Sequence, residues 1–152
     1  MRRIALLAIA GLAMLGLVAG PTTAGSTENE PGRTLRLVQG APQVALVDLG
    51  NPGPTAGDQL VLRSDLFDRS NTKQVGDLNI VCSQTIGPEN LCRGIFTLFD
   101  RGRISVDALP VLPEPTVGTV NGGTGEFQTF GGEVHIDPEA DGTTKITFHL
   151  FD

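Results

Sequence analysis

Several groups of residues have the types and spacing that chemistry uses. Gly122-Gly123-Thr124-Gly125 has the glycine content of a loop whose backbone N–H groups cradle a phosphate. The Lys-Ser/Thr of a P-loop is missing, and no strand–helix unit surrounds the glycines as a dinucleotide site requires. They read as a tight β connection that uses positive φ or close backbone approach. Asp137-Pro138-Glu139-Ala140-Asp141-Gly142 opens like a calcium loop, but the twelfth position, where a bidentate Glu belongs, is Phe148. A hairpin connection is expected there. Glu133, His135 and Asp137 share one face of a strand, and His149 lies on the more polar side of the next. Two histidines meeting across a strand pair could hold a metal. A solvated outer face is the usual meaning of such residues, and no metal is expected. No G-x-S-x-G occurs and no His sits in a loop after a strand end, so no nucleophile arrangement stands out.

The two ends of the chain differ in kind. Met1-Arg2-Arg3 is a positive start, an uncharged apolar run follows, and Thr22-Thr23-Ala24 offers small residues for cleavage. This is the pattern of a secretory signal peptide over residues 1–24. The run is shorter than the roughly 20 apolar residues a spanning helix needs, so no membrane association is expected after cleavage. Loss of Arg2 and Arg3 leaves nine basic against seventeen acidic residues, a net charge of −8. So acidic a chain is a poor partner for nucleic acid or an anionic membrane. The remaining 128 residues suffice for one domain. Residues 25–33 are Ser, Thr, Glu, Asn, Pro and Gly-rich and read as a disordered leader, with a single domain over 34–152. Cys82 and Cys92 are the only cysteines. An exported chain meets an oxidising compartment, where two cysteines with no surplus favour a disulfide; a reactive thiol is the alternative.

No helical spacing is sustained after the signal. Period-two alternation recurs instead, at 34–38, 44–49, 59–66, 74–83, 91–99, 103–109, 117–120, 133–137 and 145–151, with 127–130 as an extension of one strand. Many short strands argue an all-β sandwich or barrel, and connections such as 86–90 and 100–102 are hairpin-sized, which requires antiparallel pairing. Cys82 ends one strand and Cys92 opens the next, which puts the pair within bridging distance if the hairpin pairs about its midpoint. Parity separates the faces. Leu60, Leu62 and Leu66 share one side with Ser64 as its polar member; Leu78, Ile80 and Cys82, then Gly94, Phe96 and Leu98, then Ile146, Phe148 and Leu150 form the matching stripes. Such an apolar lining holds either a packed core or an apolar ligand.

The order Gly57-Asp58-Gln59-Leu60, Asp65-Leu66-Phe67, Val75-Gly76, Cys82, Gly94-Ile95-Phe96-Thr97-Leu98, Gly102-Arg103-Ile104, Val120 through Phe127 and Thr147-Phe148 resembles the allene oxide cyclase and dirigent protein superfamily. The resemblance runs from about Leu46 to the C-terminus, and GGTGxF is its most specific piece. It implies an eight-stranded antiparallel β-barrel with an apolar cavity, often trimeric, without a cofactor. Allene oxide cyclases steer ring closure of a lipid epoxide, assisted by a carboxylate on the first barrel strand. Dirigent proteins direct the coupling of phenoxy radicals or quinone methides, and some bacterial relatives catalyse cycloadditions. All act by forcing one conformer on the substrate. Mapped onto this chain, the cyclases' cavity Asn falls at Ser64 and their cavity Cys at Cys82. The Tyr or Arg after the glycine motif falls at Gly131. The carboxylate falls near Ala45, which leaves Asp48 as the nearest acid for a catalytic role. The expectation is a secreted barrel that binds an apolar small molecule against Leu62, Ser64, Ile80, Phe96 and Phe148, either as a cyclase or isomerase or as a non-catalytic barrel with a packed interior.

Overall fold

The computed structural model describes residues 32–111 and 113–152. The segment expected to be a signal peptide, and nearly all of the expected leader, lie outside the described residues. Nine strands follow in chain order: β1 Arg33–Gln39, β2 Gln43–Val47, β3 Gln59–Phe67, β4 Gln74–Gln84, β5 Asn90–Leu98, β6 Gly102–Ala108, β7 Thr116–Gly123, β8 Gly131–Pro138 and β9 Thr144–Phe151. Each pairs antiparallel with its neighbour, in the order β1-β9-β8-β7-β6-β5-β4-β3-β2. β1 also pairs with β3 through Val38↔Phe67 and Gln39↔Leu66, which closes an eight-stranded barrel and leaves no free edge around most of its wall.

β1 and β2 share one place in that wall. β1 runs along β9 from Arg33↔Leu150 to Gln39↔Thr144, and β2 then runs along the far half of β3, from Gln43↔Arg63 to Val47↔Gln59. The break between them falls at Gly40-Ala41-Pro42. Gly40 still donates to the Asp65 carbonyl at 3.0 Å, whereas Pro42 has no N–H for a ladder. Every residue of β2 is exposed.

The barrel has one closed end. The apolar stripes converge there on Leu37, Leu66, Leu78, Phe96, Leu98, Ile104, Val134, Ile146, Phe148 and Leu150, with Phe96 and Phe148 edge to face at 5.0 Å. Residues 127–130 do not extend a strand, contrary to expectation. The chain leaves β7 through a 3₁₀ turn, Gly125–Phe127, that crosses the barrel end and drives Phe127 into the core, where it is 1% exposed. The glycines make this crossing possible. Gly125 holds φ +63°, and a Cβ there would stand 2.5 Å from the Arg101 carbonyl oxygen; a Cβ on Gly123 would collide with the Arg103 carbonyl. The turn is tied to β6 by Thr124 N–H to Arg103 O and to the connection before β6 by Glu126 N–H to Arg101 O, both 2.9 Å. Arg33 and Arg101 lie over the Phe127 ring, 5.7 and 5.3 Å from its centre, and both bond Glu126.

Among the described residues no helix is long and apolar enough to cross a membrane. Residues 139–143 form the expected hairpin connection, closed by Glu139 N–H to Thr143 O at 2.9 Å.

Candidate functional site: a cavity at the open end of the barrel

At the other end the interior is not filled. A cavity of about 350 Å³ opens there, within the usual range for small-molecule sites. β3 supplies Leu60 and Leu62, β4 supplies Ile80 and Cys82, and β5 supplies Cys92, Gly94 and Phe96. Val106 and Ala108 of β6 and Ile136 of β8 continue the apolar wall. These residues face inward because strand side chains alternate. The space exists because the wall thins here. Gly94 has no side chain where its neighbours Ile80 and Phe96 stand 3.4 and 3.5 Å from the place of a Cβ, and Ala108 contributes a single methyl.

Prolines frame the mouth: Pro42 after β1, Pro110 and Pro113 in the β6–β7 connection, and Pro138 at the end of β8. Fixed φ and missing N–H groups give this rim a stiff edge that does not extend the sheet. The polar lining is sparse, consisting of Gln39, Glu114, Thr116 and Thr144. Gln39 is the only buried member, 8% exposed. Glu114 is exposed on the β6–β7 connection and, among the described residues, is the one ionisable side chain in the wall, since Cys82 and Cys92 are joined in a disulfide. That disulfide links direct cross-strand partners of β4 and β5.

The expected site residues distribute as follows. Leu62, Ile80 and Phe96 are brought together in the cavity wall. Phe148 is fully buried beneath, packed on Phe96. Ser64 is buried and its hydroxyl donates to the carbonyls of Gly40 and Asp65, at 3.3 and 3.1 Å, so it holds the β1–β2 bend rather than facing the cavity. Asp48 lies beyond the end of β2, outside the cavity, and accepts a hydrogen bond from Gly53 N–H at 3.2 Å. It borders a separate, largely exposed depression of about 430 Å³ that meets the cavity wall only at Leu60. Nearby, backbone N–H groups of Leu49 and then Thr55 hold the Asp58 carboxyl below its ordinary value, which fixes the loop. Gly131 stands at the closed end of β8, remote from the cavity lining.

Gln39 and Glu114 are absent from the sequence-based site. Gln39 was legible: Leu35, Leu37 and Gln39 alternate onto one face, and an amide in an apolar stripe is a signal. Glu114 sits in a proline-rich connection without periodicity, so no pattern marks it. On the outer surface His135 and His149 meet edge to face at 5.1 Å, with Glu133 3.7 Å from His135. Among the described residues no group of three metal-ligating side chains gathers.

Comparison with solved structures places this geometry. A pyocyanin demethylase superposes with a TM-score of 0.69 at 30% identity, over 78% of this chain and 99% of that one. The chain belongs to the same family as this demethylase, with the allene oxide cyclase/dirigent-like barrel fold. Two more distant structures share the fold. A pterocarpan synthase dirigent protein matches at TM-score 0.58 and 16% identity, over 79% of this chain and 83% of that one. A Diels-Alderase from Streptomyces koyangensis matches at TM-score 0.59 and 12% identity, over 80% of this chain and 64% of that one. No protein-family model and no curated protein matches the sequence.

Proposed function

We propose that this barrel is a secreted protein that takes a small apolar molecule into the open-end cavity and steers its cyclisation, isomerisation or coupling. The observation that carries the reading is the 350 Å³ void bounded by Leu62, Ile80, Phe96, Val106 and Ile136 in an otherwise packed barrel. Filling it with side chains would add packing, so the gap has a use other than stability. The walls offer shape and little else, and shape is what conformer selection needs. Relatives named as a demethylase, a dirigent protein and a Diels-Alderase support a role on a small molecule. Where the reaction moves a proton, Glu114 is the acid–base group of the wall. The disulfide and the signal-like leader support export. A non-catalytic carrier is the second reading, favoured by the same fact that limits the chemistry: among the described residues Glu114 is the sole ionisable side chain in the lining.

Native mass spectrometry of the exported protein tests the reading. The mass should show cleavage after Ala24 and a Cys82–Cys92 link, with a small-molecule adduct that Ala108→Phe removes. A ligand-free protein from its own producing cells, in both forms, would count against any cavity function. Once the adduct is identified, Glu114→Gln and Asp48→Asn separate the roles. The first should stop turnover while binding persists. Full turnover by Glu114→Gln would remove Glu114 from the chemistry, whereas binding without turnover by the natural protein would leave the carrier reading.

A further inference from the structure

Among the described residues the cavity contains one buried polar side chain whose chemistry is unspent. Gln39 is 8% exposed and lines the void, yet among the described residues its side-chain amide has no hydrogen-bond partner. No buried side-chain atom in the described structure is left sealed without a partner, so the amide is open to the cavity. Its position is held firmly. Gln39 pairs with Thr144 of β9 and with Leu66 of β3. The next residue is pinned by Gly40 N–H to Asp65 O at 3.0 Å and by the Ser64 hydroxyl on Gly40 O at 3.3 Å. A bend fixed this tightly, with a buried amide at its inner face, is an arrangement for presenting that amide. Burying a carboxamide without a partner lowers stability, whereas Leu or Met at this place would continue the stripe of Leu35 and Leu37.

We infer that Gln39 is the specificity-determining residue of the cavity and that the ligand is a small, neutral, largely apolar molecule carrying a hydroxyl or carbonyl that meets its amide. The inference rests on the cavity being a ligand site. A carboxamide presents an N–H donor and a C=O acceptor, so it serves either group. It carries no charge, and the surrounding wall of Leu62, Ile80, Phe96 and Val106 has none, so a carboxylate or ammonium head would be buried without a counter-charge. Thr144 stands across from Gln39 on β9 and, like Thr116 and Glu114, is more exposed, which leaves Gln39 as the buried polar contact of the lining.

Three fluorescent probes of one frame test this: 2-naphthol, 2-methylnaphthalene and 2-naphthoate, titrated against the disulfide-intact mature protein, which has no Trp or Tyr of its own. The natural protein should bind 2-naphthol about tenfold more tightly than 2-methylnaphthalene, one buried hydrogen bond's worth, and bind 2-naphthoate weakest. Gln39→Leu and Gln39→Met should lose that preference and hold 2-methylnaphthalene at least as tightly, with melting temperatures unchanged or raised. Equal affinities for the two neutral probes, or a preference that survives both substitutions, overturns the role of Gln39 and leaves the cavity reading standing. Failure of the natural protein to bind any of the three removes both.

Discussion

The Glu126 carboxylate accepts hydrogen bonds from Arg33 and Arg101 at 3.0 and 3.1 Å. These bonds, Arg33's first, hold it below the ordinary 4.5 of a glutamate. A carboxylate with a lowered native pKa stabilises the fold fully above its unfolded value and loses that contribution as the pH falls through the native one. Urea midpoints should therefore separate the natural protein from Glu126→Gln at pH 7 and converge below pH 4.5; a gap of equal size at pH 3 would show that the charge is idle. The same cluster shows where residue-level reading of the sequence stops. GGTGEF was legible as strand-and-turn geometry, because no Lys or helix follows it. That its Phe turns inward was not, because 127–130 read as a strand extension, whereas Phe127 sits in a 3₁₀ turn and is placed by tertiary burial under two arginines. Leu62, Ile80 and Phe96 were legible as one interior face from period-two alternation alone. Whether that face is filled was not, since the void depends on Gly94 and Ala108 lying on neighbouring strands.

At the scale of elements, most strand limits followed from alternation and turn residues, and β4 and β5 with their disulfide are the clearest case. The pairing Cys82↔Cys92 follows once the hairpin is centred on residues 85–89, and Thr85 fixes that centre by donating its hydroxyl to Glu89 O at 2.8 Å. Reduction should cost about 2–3 kcal/mol, the entropy of a short closed loop, read as a lower urea midpoint with reductant than without. An unchanged midpoint would mean that the ladder alone fixes the hairpin. The β1–β2 relation was not legible, because two separate alternating runs give no sign that both lie along β3. Its consequence is uneven stability. β4 is flanked on both edges, whereas among the described residues β2 pairs only with β3 and buries no residue. Hydrogen exchange should show β2 amides opening well before those of β4, since a strand held along one edge and burying nothing opens at a lower free-energy cost. Equal protection would require β2 to have a further partner in solution.

The whole molecule divides its tasks between its ends. The closed end concentrates the fully buried side chains, Phe127, Phe148, Leu66, Ile104 and Leu150 among them. The open end leaves a void, prolines and an unspent amide. Stability and binding should therefore respond to different substitutions. Phe127→Ala removes a ring from a site with no room to collapse, because Gly123 and Gly125 already bring backbone against backbone there. It should cost about 3–5 kcal/mol in urea unfolding, while the protein that remains folded at low temperature still takes up 2-naphthol. Ala108→Phe places a ring in empty space at the mouth. It should destabilise less than Phe127→Ala, at most the roughly 1–3 kcal/mol of overpacking, and abolish 2-naphthol binding. The pair separates a barrel whose ends are independent from one in which the cavity is a packing defect. In the second case Ala108→Phe would either stabilise without touching uptake or unfold the barrel as Phe127→Ala does, because the open end would then be part of one continuous core.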